Sequence, residues 1–184
     1  MKKILIYLLS IGIFGIASIA NSQTIRIGTE GAYPPWNNLN SAGELEGAEI
    51  DFGNEACERM GVTCEWVTQD WDGIIPALLQ GKYDIIIAGM SITEERKEKV
   101  NFTTGYMTDG ARFAVLKNSG LANLNIAGMA KVNLNNAGGK EQAAIGQLIA
   151  AMDGKTVCVQ SSTIHQNFLE KHMSGAVEVK LYQA

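Results

Sequence analysis

Ile85, Ile86 and Ile87 stand in a row within residues 83–88, between Gly81 and Gly89, with Asp84 the one charge beside them. So short an apolar run, bounded by glycines, predicts a strand buried on both faces of a parallel sheet. The residues before it supply the rest of such a sheet. Residues 24–28 alternate as a strand, and residues 30–36 break into a loop around Pro34-Pro35. Residues 37–47 are a polar turn region. Residues 49–60 carry Gly53, Cys57 and Met60 at helical spacing, and residues 63–67 form a second strand. Trp71-Asp72-Gly73 then opens a helix whose face is Ile74, Ile75, Leu78 and Leu79, closed by Gly81. Strand, helix, strand, helix, strand predicts an α/β fold with right-handed crossovers.

Past Gly89 a capped helix is expected over residues 93–100 and a strand over 111–116. Residues 118–139 are rich in Asn, Gly and Ala, with little periodicity, and read as a long loop or insertion. A fresh α/β unit follows: a helix over 141–152, a strand over 156–159, a helix over 163–171 and a strand over 177–181. We therefore expect two lobes, the first over residues 21–112 and the second over 113–184, with a loop-rich insertion at about 118–140. The second lobe has no completed sheet before Ala184, so the chain reads as the front part of a longer fold.

Residues 1–20 begin with Lys2-Lys3, run apolar through Ile16 and end in Ser18-Ile19-Ala20. A basic start, an apolar stretch and a small-x-small end define an export signal cleaved after Ala20, the alternative being an uncleaved anchor. Removing it takes the formal charge from −4 to −6, thirteen basic residues against nineteen acidic. A mildly acidic chain without a basic run argues against nucleic acid or an anionic membrane surface as partner. Hydrophobic content of 46% suits a packed core. In an exported chain Cys57 and Cys64 can form a disulfide between the helix and the next strand. Zinc would need two further ligands, and only His165 and His172 stand elsewhere. Cys158 falls in an apolar strand, where a buried, inert thiol is expected.

Open α/β sheets bind ligands beyond the carboxyl ends of their strands. Residues 30–36, 70–71, 88–96 and 160–165 meet that rule. In the third segment, Gly89 allows close backbone approach, Ser91 adds a hydroxyl near a helix start, and Thr93 caps the helix. Arg96 could fork onto a carboxylate, or could equally be a solvated arginine paired with Glu94 or Glu95. Glu30 with Tyr33 and Trp71 suits a guanidinium or ammonium group, unless the rings only edge the core. His165 follows Ser162 at a helix start, where a local hydrogen-bonding role is the usual one. Neither a catalytic constellation, a metal-ligand cluster nor a phosphate-cradling glycine loop is evident, so no cofactor is expected.

The segments IRIGTEGAYPPWN, GAEIDFGNEACERMGVTCEW, WDGIIPALLQGKYDIIIAGMSITEERKEKVNFT and YMTDGARFAVLK resemble, in order, the bacterial solute-binding proteins that serve polar amino-acid transporters. The likeness runs over residues 24–117, and within the family it is similar to binders of lysine, arginine and ornithine and of the opines octopine and nopaline. The resemblance implies a two-lobed periplasmic clamshell, a monomer that closes on its ligand and docks on an inner-membrane ABC permease. It also implies that Arg96 holds the ligand α-carboxylate with help from Ser91 and the Gly89 region. Thr163, Gln160 and His165 would reach it from the second lobe, and Glu30, Tyr33 and Trp71 would take the side-chain end. Ala88 and Gly89 stand where many basic-amino-acid binders carry serines, leaving room for a bulkier ligand. The aspartate that meets the α-amino group in the family is expected beyond Ala184. Two other functions share this scaffold: a periplasmic enzyme of the cyclohexadienyl dehydratase kind, with Glu30 or His165 as its acid or base, and the sensory ectodomain of a receptor.

Overall fold

The computed structural model describes residues 23–126 and 138–183. The export signal expected over residues 1–20 lies outside them, as do residues 127–137 of the expected insertion. Strand β1 (Thr24–Thr29) is the middle of a three-stranded sheet. Two short strands, β2 (Ala32–Tyr33) and β3 (Asn37–Leu39), follow with β4 (Leu45–Glu46), and helix α1 (Ala48–Met60) leads to β5 (Thr63–Thr68). A single 3₁₀ turn, Trp71–Gly73, runs into α2 (Ile74–Leu79), and β6 (Ile85–Ile86) completes the sheet. β5 and β6 both run parallel to β1, in the order β5-β1-β6. This is the alternation that the apolar periodicity predicts.

Two apolar clusters hold the sheet. Ile27, Cys57 and Ile87 join β1, α1 and the end of the isoleucine run, with Trp66 packed beside them. Ile74, Ala77, Tyr83 and Ala88 form the second. Tyr83 lies across β1 because position 28 is glycine: a Cβ there would stand 2.5 Å from the Tyr83 ring. Its phenol donates to the Ile74 carbonyl at 2.5 Å, and burial pushes its pKa up to about 12.

Several expectations need correction. Among the described residues the isoleucine run pairs only at Ile85 and Ile86, with β1 as its one neighbour, and Ile85 is 41% exposed rather than covered on both faces. Residues 37–47 are not a simple turn: β2, β3 and β4 form an antiparallel meander. Residues 111–116 form no strand, since among the described residues no neighbouring ladder meets them, and Phe113, Val115 and Leu116 are exposed. Met60 and Leu79, expected on core faces, are exposed at the ends of α1 and α2.

The second unit follows expectation more closely. Helix α3 (Glu94–Lys97) precedes it, and α4 (Gly139–Met152), β7 (Thr156–Gln160), α5 (Ile164–Met173) and β8 (Glu178–Tyr182) make it up. β7 and β8 pair in parallel. Met152, Val157, Leu169, Met173 and Val177 form its core, with Leu121 from the expected insertion packed against them. Cys158 is exposed, not buried. Alternation along β7 turns Val157 into the core beneath the helices and Cys158 to the opposite face.

The Cys57–Cys64 disulfide is present, with its Cα atoms 5.9 Å apart, and ties α1 to β5. Replacing both cysteines by alanine should lower the unfolding free energy by about 2–3 kcal/mol, from the chain entropy restored to the closed loop. Urea denaturation under oxidising conditions measures it. An unchanged midpoint would show that the bridge adds nothing to the fold.

Candidate functional site

The loops that leave the carboxyl ends of β1, β5, β6 and β7 face one cleft of about 410 Å³. It is lined by all ten residues singled out from the sequence: Glu30, Tyr33, Trp71, Ala88, Gly89, Ser91, Arg96, Gln160, Thr163 and His165. The convergence follows from parallel strands, whose carboxyl ends lie on one edge of a sheet.

Arg96 is half-buried and stacks over Trp71, its guanidinium carbon 5.3 Å from the ring centroid. Nη1 donates to the Ser91 carbonyl at 2.8 Å and Nη2 to the Ser162 carbonyl at 3.1 Å. The alternative, a pairing with Glu94 or Glu95, is not what holds it: Lys97 takes Glu94 at 2.7 Å. Burial pushes the Arg96 pKa down, while nearby Glu95 acts the other way. A cation so placed gains from any anion that reaches its remaining N–H groups.

Two details of the α3 region differ from expectation. The helix is a single turn, Glu94–Lys97, and not residues 93–100. Thr93 does cap it, its Oγ1 accepting from the Arg96 amide at 3.2 Å. Nor is the Gly89 amide free for a ligand: it donates to the Glu49 carboxylate at 2.7 Å. Gly89 has φ +58°, and a Cβ there would stand 3.1 Å from the Tyr33 ring.

Glu30 accepts from Gln160 Nε2 at 2.5 Å, a contact between the first and second α/β units. Burial raises its pKa; the Gln160 bond works against this, and the charges of Asp70 and Asp72 raise it further. Tyr33 is 38% exposed and donates to Asp109 at 3.2 Å. Trp71 turns one face to Arg96 and donates its indole N–H to the Ser162 carbonyl at 3.0 Å. Thr163 is buried, and its hydroxyl is already engaged, donating to the Gln160 carbonyl at 2.8 Å and accepting from the Gln166 amide at 3.3 Å. His165 lies exposed on the cleft lining.

Ser162 was not anticipated as a hub. Its φ of +58° is left-handed, rare for a residue with a Cβ, and its carbonyl takes donors from both Trp71 and Arg96. Beside it, Ser161 Oγ donates to Asp72 at 2.9 Å and Gln183 Nε2 to the same carboxylate at 3.1 Å. Hydrogen bonds from Ser162, Ser161 and Gln183 lower the Asp72 pKa, against its desolvation. No residue pattern announces a backbone carbonyl in this role. Glu49 and Tyr106 also escaped notice, because neither breaks the periodicity of its segment. Among the described residues there is no His, Cys, Asp or Glu cluster that could hold a metal.

Residues 25–174 match the family described as bacterial extracellular solute-binding proteins, family 3. The chain belongs to that family. It is 43% identical over 164 residues to the octopine-binding periplasmic protein of Rhizobium meliloti, covering 89% of this chain and 55% of that protein. It is 42% identical over 122 residues to the L-arginine-binding protein of Pseudomonas aeruginosa, covering 66% and 47%. The chain thus spans about half the length of the curated relatives it matches. A crystal structure of a periplasmic His/Glu/Gln/Arg/opine family-binding protein from Silicibacter pomeroyi in complex with lysine is 37% identical. It superposes with a TM-score of 0.59 over 86% of this chain and 57% of that one.

Gly89→Ala should destabilise the fold by about 1–2 kcal/mol, since alanine is strained at positive φ and its methyl group presses on Tyr33. The urea midpoint reports the loss. A variant as stable as the parent would contradict the backbone placed at this position.

Proposed function

We propose that this protein is the periplasmic substrate-binding component of an ABC transporter for amino acids with a cationic side chain, or for opines built on them. Arginine, ornithine, lysine, octopine and nopaline are the candidate ligands. The observation that carries the reading is the pairing, in one cleft, of a half-buried arginine held by carbonyls with a carboxylate whose pKa is raised by burial and by two neighbouring acids. A ligand with a carboxylate at one end and a cation at the other satisfies both. Arg96 takes the α-carboxylate through N–H groups that Ser91 and Ser162 leave free, with Ser91 beside it. Glu30 takes the guanidinium or ammonium, with Tyr33 and Trp71 supplying aromatic faces.

On this reading residues 1–20 direct export and are removed, residues 21–112 and 113–184 contribute to two lobes, and the monomer closes by a hinge motion. Gln160, Thr163 and His165 would approach the ligand from the second lobe, so closure and binding are linked. The closed form then docks on an inner-membrane permease. The names of the octopine- and arginine-binding relatives support the choice of ligand class. The protein carries its ligand unchanged; turnover of prephenate or arogenate by the full-length protein would contradict that.

Calorimetry on the full-length protein should show binding of at least one of the five candidates, and absence of heat with all of them would sink the proposal. Arg96→Ala should weaken binding by about a hundredfold, as one member of a desolvated charge pair is lost. Affinity should also fall as the pH drops through the Glu30 pKa, which lies above its ordinary value, because the protonated acid no longer attracts a cation. Glu30→Gln should flatten that profile over the same range. A profile identical in parent and variant would remove Glu30 from the site.

A further inference from the structure

Glu49 is 2% exposed, sits in the first turn of α1 and takes part in none of the ligand contacts proposed above. Its carboxylate gathers three donors from three separate segments. Asn37 Nδ2 donates to Oε2 at 2.6 Å, the Gly89 amide donates to Oε1 at 2.7 Å, and the Tyr106 hydroxyl donates to the same Oε1. Asn37, fully buried, accepts the Gly31 amide on its Oδ1 at 2.8 Å. The chain of bonds therefore runs from the residue beside Glu30, through Asn37 and Glu49, to Gly89 and Tyr106.

Each link has a direction. The Gly31 N–H can only donate, so Asn37 must present its oxygen there and its NH₂ to position 49. The Gly89 N–H also can only donate. Position 49 must accept at both ends of its side chain, which a carboxylate does and a carboxamide does not. The positive end of α1 and the charge-assisted bonds make a buried carboxylate tolerable there. Three further contacts carry the geometry to the cleft: Gly89 abuts the Tyr33 ring, Tyr33 donates to Asp109, and Phe52 of α1 stacks on Tyr106 at 5.3 Å.

We propose that Glu49 is a positioning residue for ligand binding: with Asn37 it forms a hydrogen-bond relay, converging on the Glu49 carboxylate, that sets the Glu30, Gly89 and Tyr106 segments in register around the cleft. This rests on the binding function proposed above. Affinity for the cationic ligand then depends on a carboxylate that touches no ligand.

The test is a polarity swap in the full-length protein, read by arginine calorimetry and by the amide resonances of Gly31 and Gly89. Glu49→Gln sets the NH₂ of the new carboxamide against that of Asn37 and should raise the arginine Kd by about tenfold with unchanged stoichiometry. Adding Asn37→Asp restores the bond between positions 37 and 49 with its polarity exchanged, while the Gly31 and Gly89 amides keep a side-chain oxygen to donate to. The double variant should return to within about threefold of the parent, its Gly89 amide shifted back toward the parent position. A purely structural role would lower the urea midpoint of Glu49→Gln and leave the Kd of the folded protein unchanged; that result overturns the proposal, as does a double variant that recovers nothing. If Glu49→Gln does not fold, the double variant alone decides, near-parental affinity supporting the relay and weak or absent folding overturning it. If the parent protein binds neither arginine nor octopine, the function reading fails, and the relay is judged by the amides alone. Gly31 and Gly89 resonances unmoved in Glu49→Gln would then refute it; displacement reversed in the double variant would sustain it.

Discussion

Arg96 is held half-buried by two backbone carbonyls and an indole ring, with no carboxylate bonded to it among the described residues, and the cleft is organised around that fact. Carbonyl dipoles orient a guanidinium without neutralising it. The group therefore keeps its attraction for an anion in a half-buried place, where water screens it less than at the open surface. The rest of the first unit serves to present it: β6 ends at the cleft, the Gly89 turn redirects the chain, and Thr93 caps the single helical turn that carries the side chain.

The same guanidinium links the two α/β units. Its bond to the Ser162 carbonyl is joined there by the Trp71 indole, and around that point Gln160 meets Glu30 while Ser161 and Gln183 meet Asp72. Most of these contacts are exposed or half-buried and individually weak. Such contacts suit surfaces that part and re-form, since a large apolar interface would resist opening. Arg96 thus joins the units, and on the function proposed above its remaining donors meet the ligand that enters between them.

Much of this was legible in the residues. The parallel order of β5, β1 and β6 follows from alternating strand and helix periods, and the disulfide from two cysteines flanking a turn in a chain expected to be exported. All ten candidate lining residues reached one cleft because strand ends were enough to locate them. What escaped depends on tertiary pairing. Among the described residues Ile85 has no element packed over its side chain, and residues 111–116 have no partner strand despite their composition. Cys158 faces outward because it points away from the apolar cluster that Val157 joins. Local pattern encodes neither. Asn37 and Glu49 looked like ordinary polar residues in a turn and a helix start; their burial is visible only once three loops close over them.

On the proposed function the cleft reads a ligand at both ends, anion at Arg96 and cation at Glu30. A crystal structure of the full-length protein with bound arginine decides it. The ligand carboxylate should lie within hydrogen-bonding distance of the Arg96 guanidinium and the ligand guanidinium on the Glu30 carboxylate, between Tyr33 and Trp71. Arginine seated with its carboxylate away from Arg96, or with its guanidinium turned from Glu30 into solvent, would contradict it.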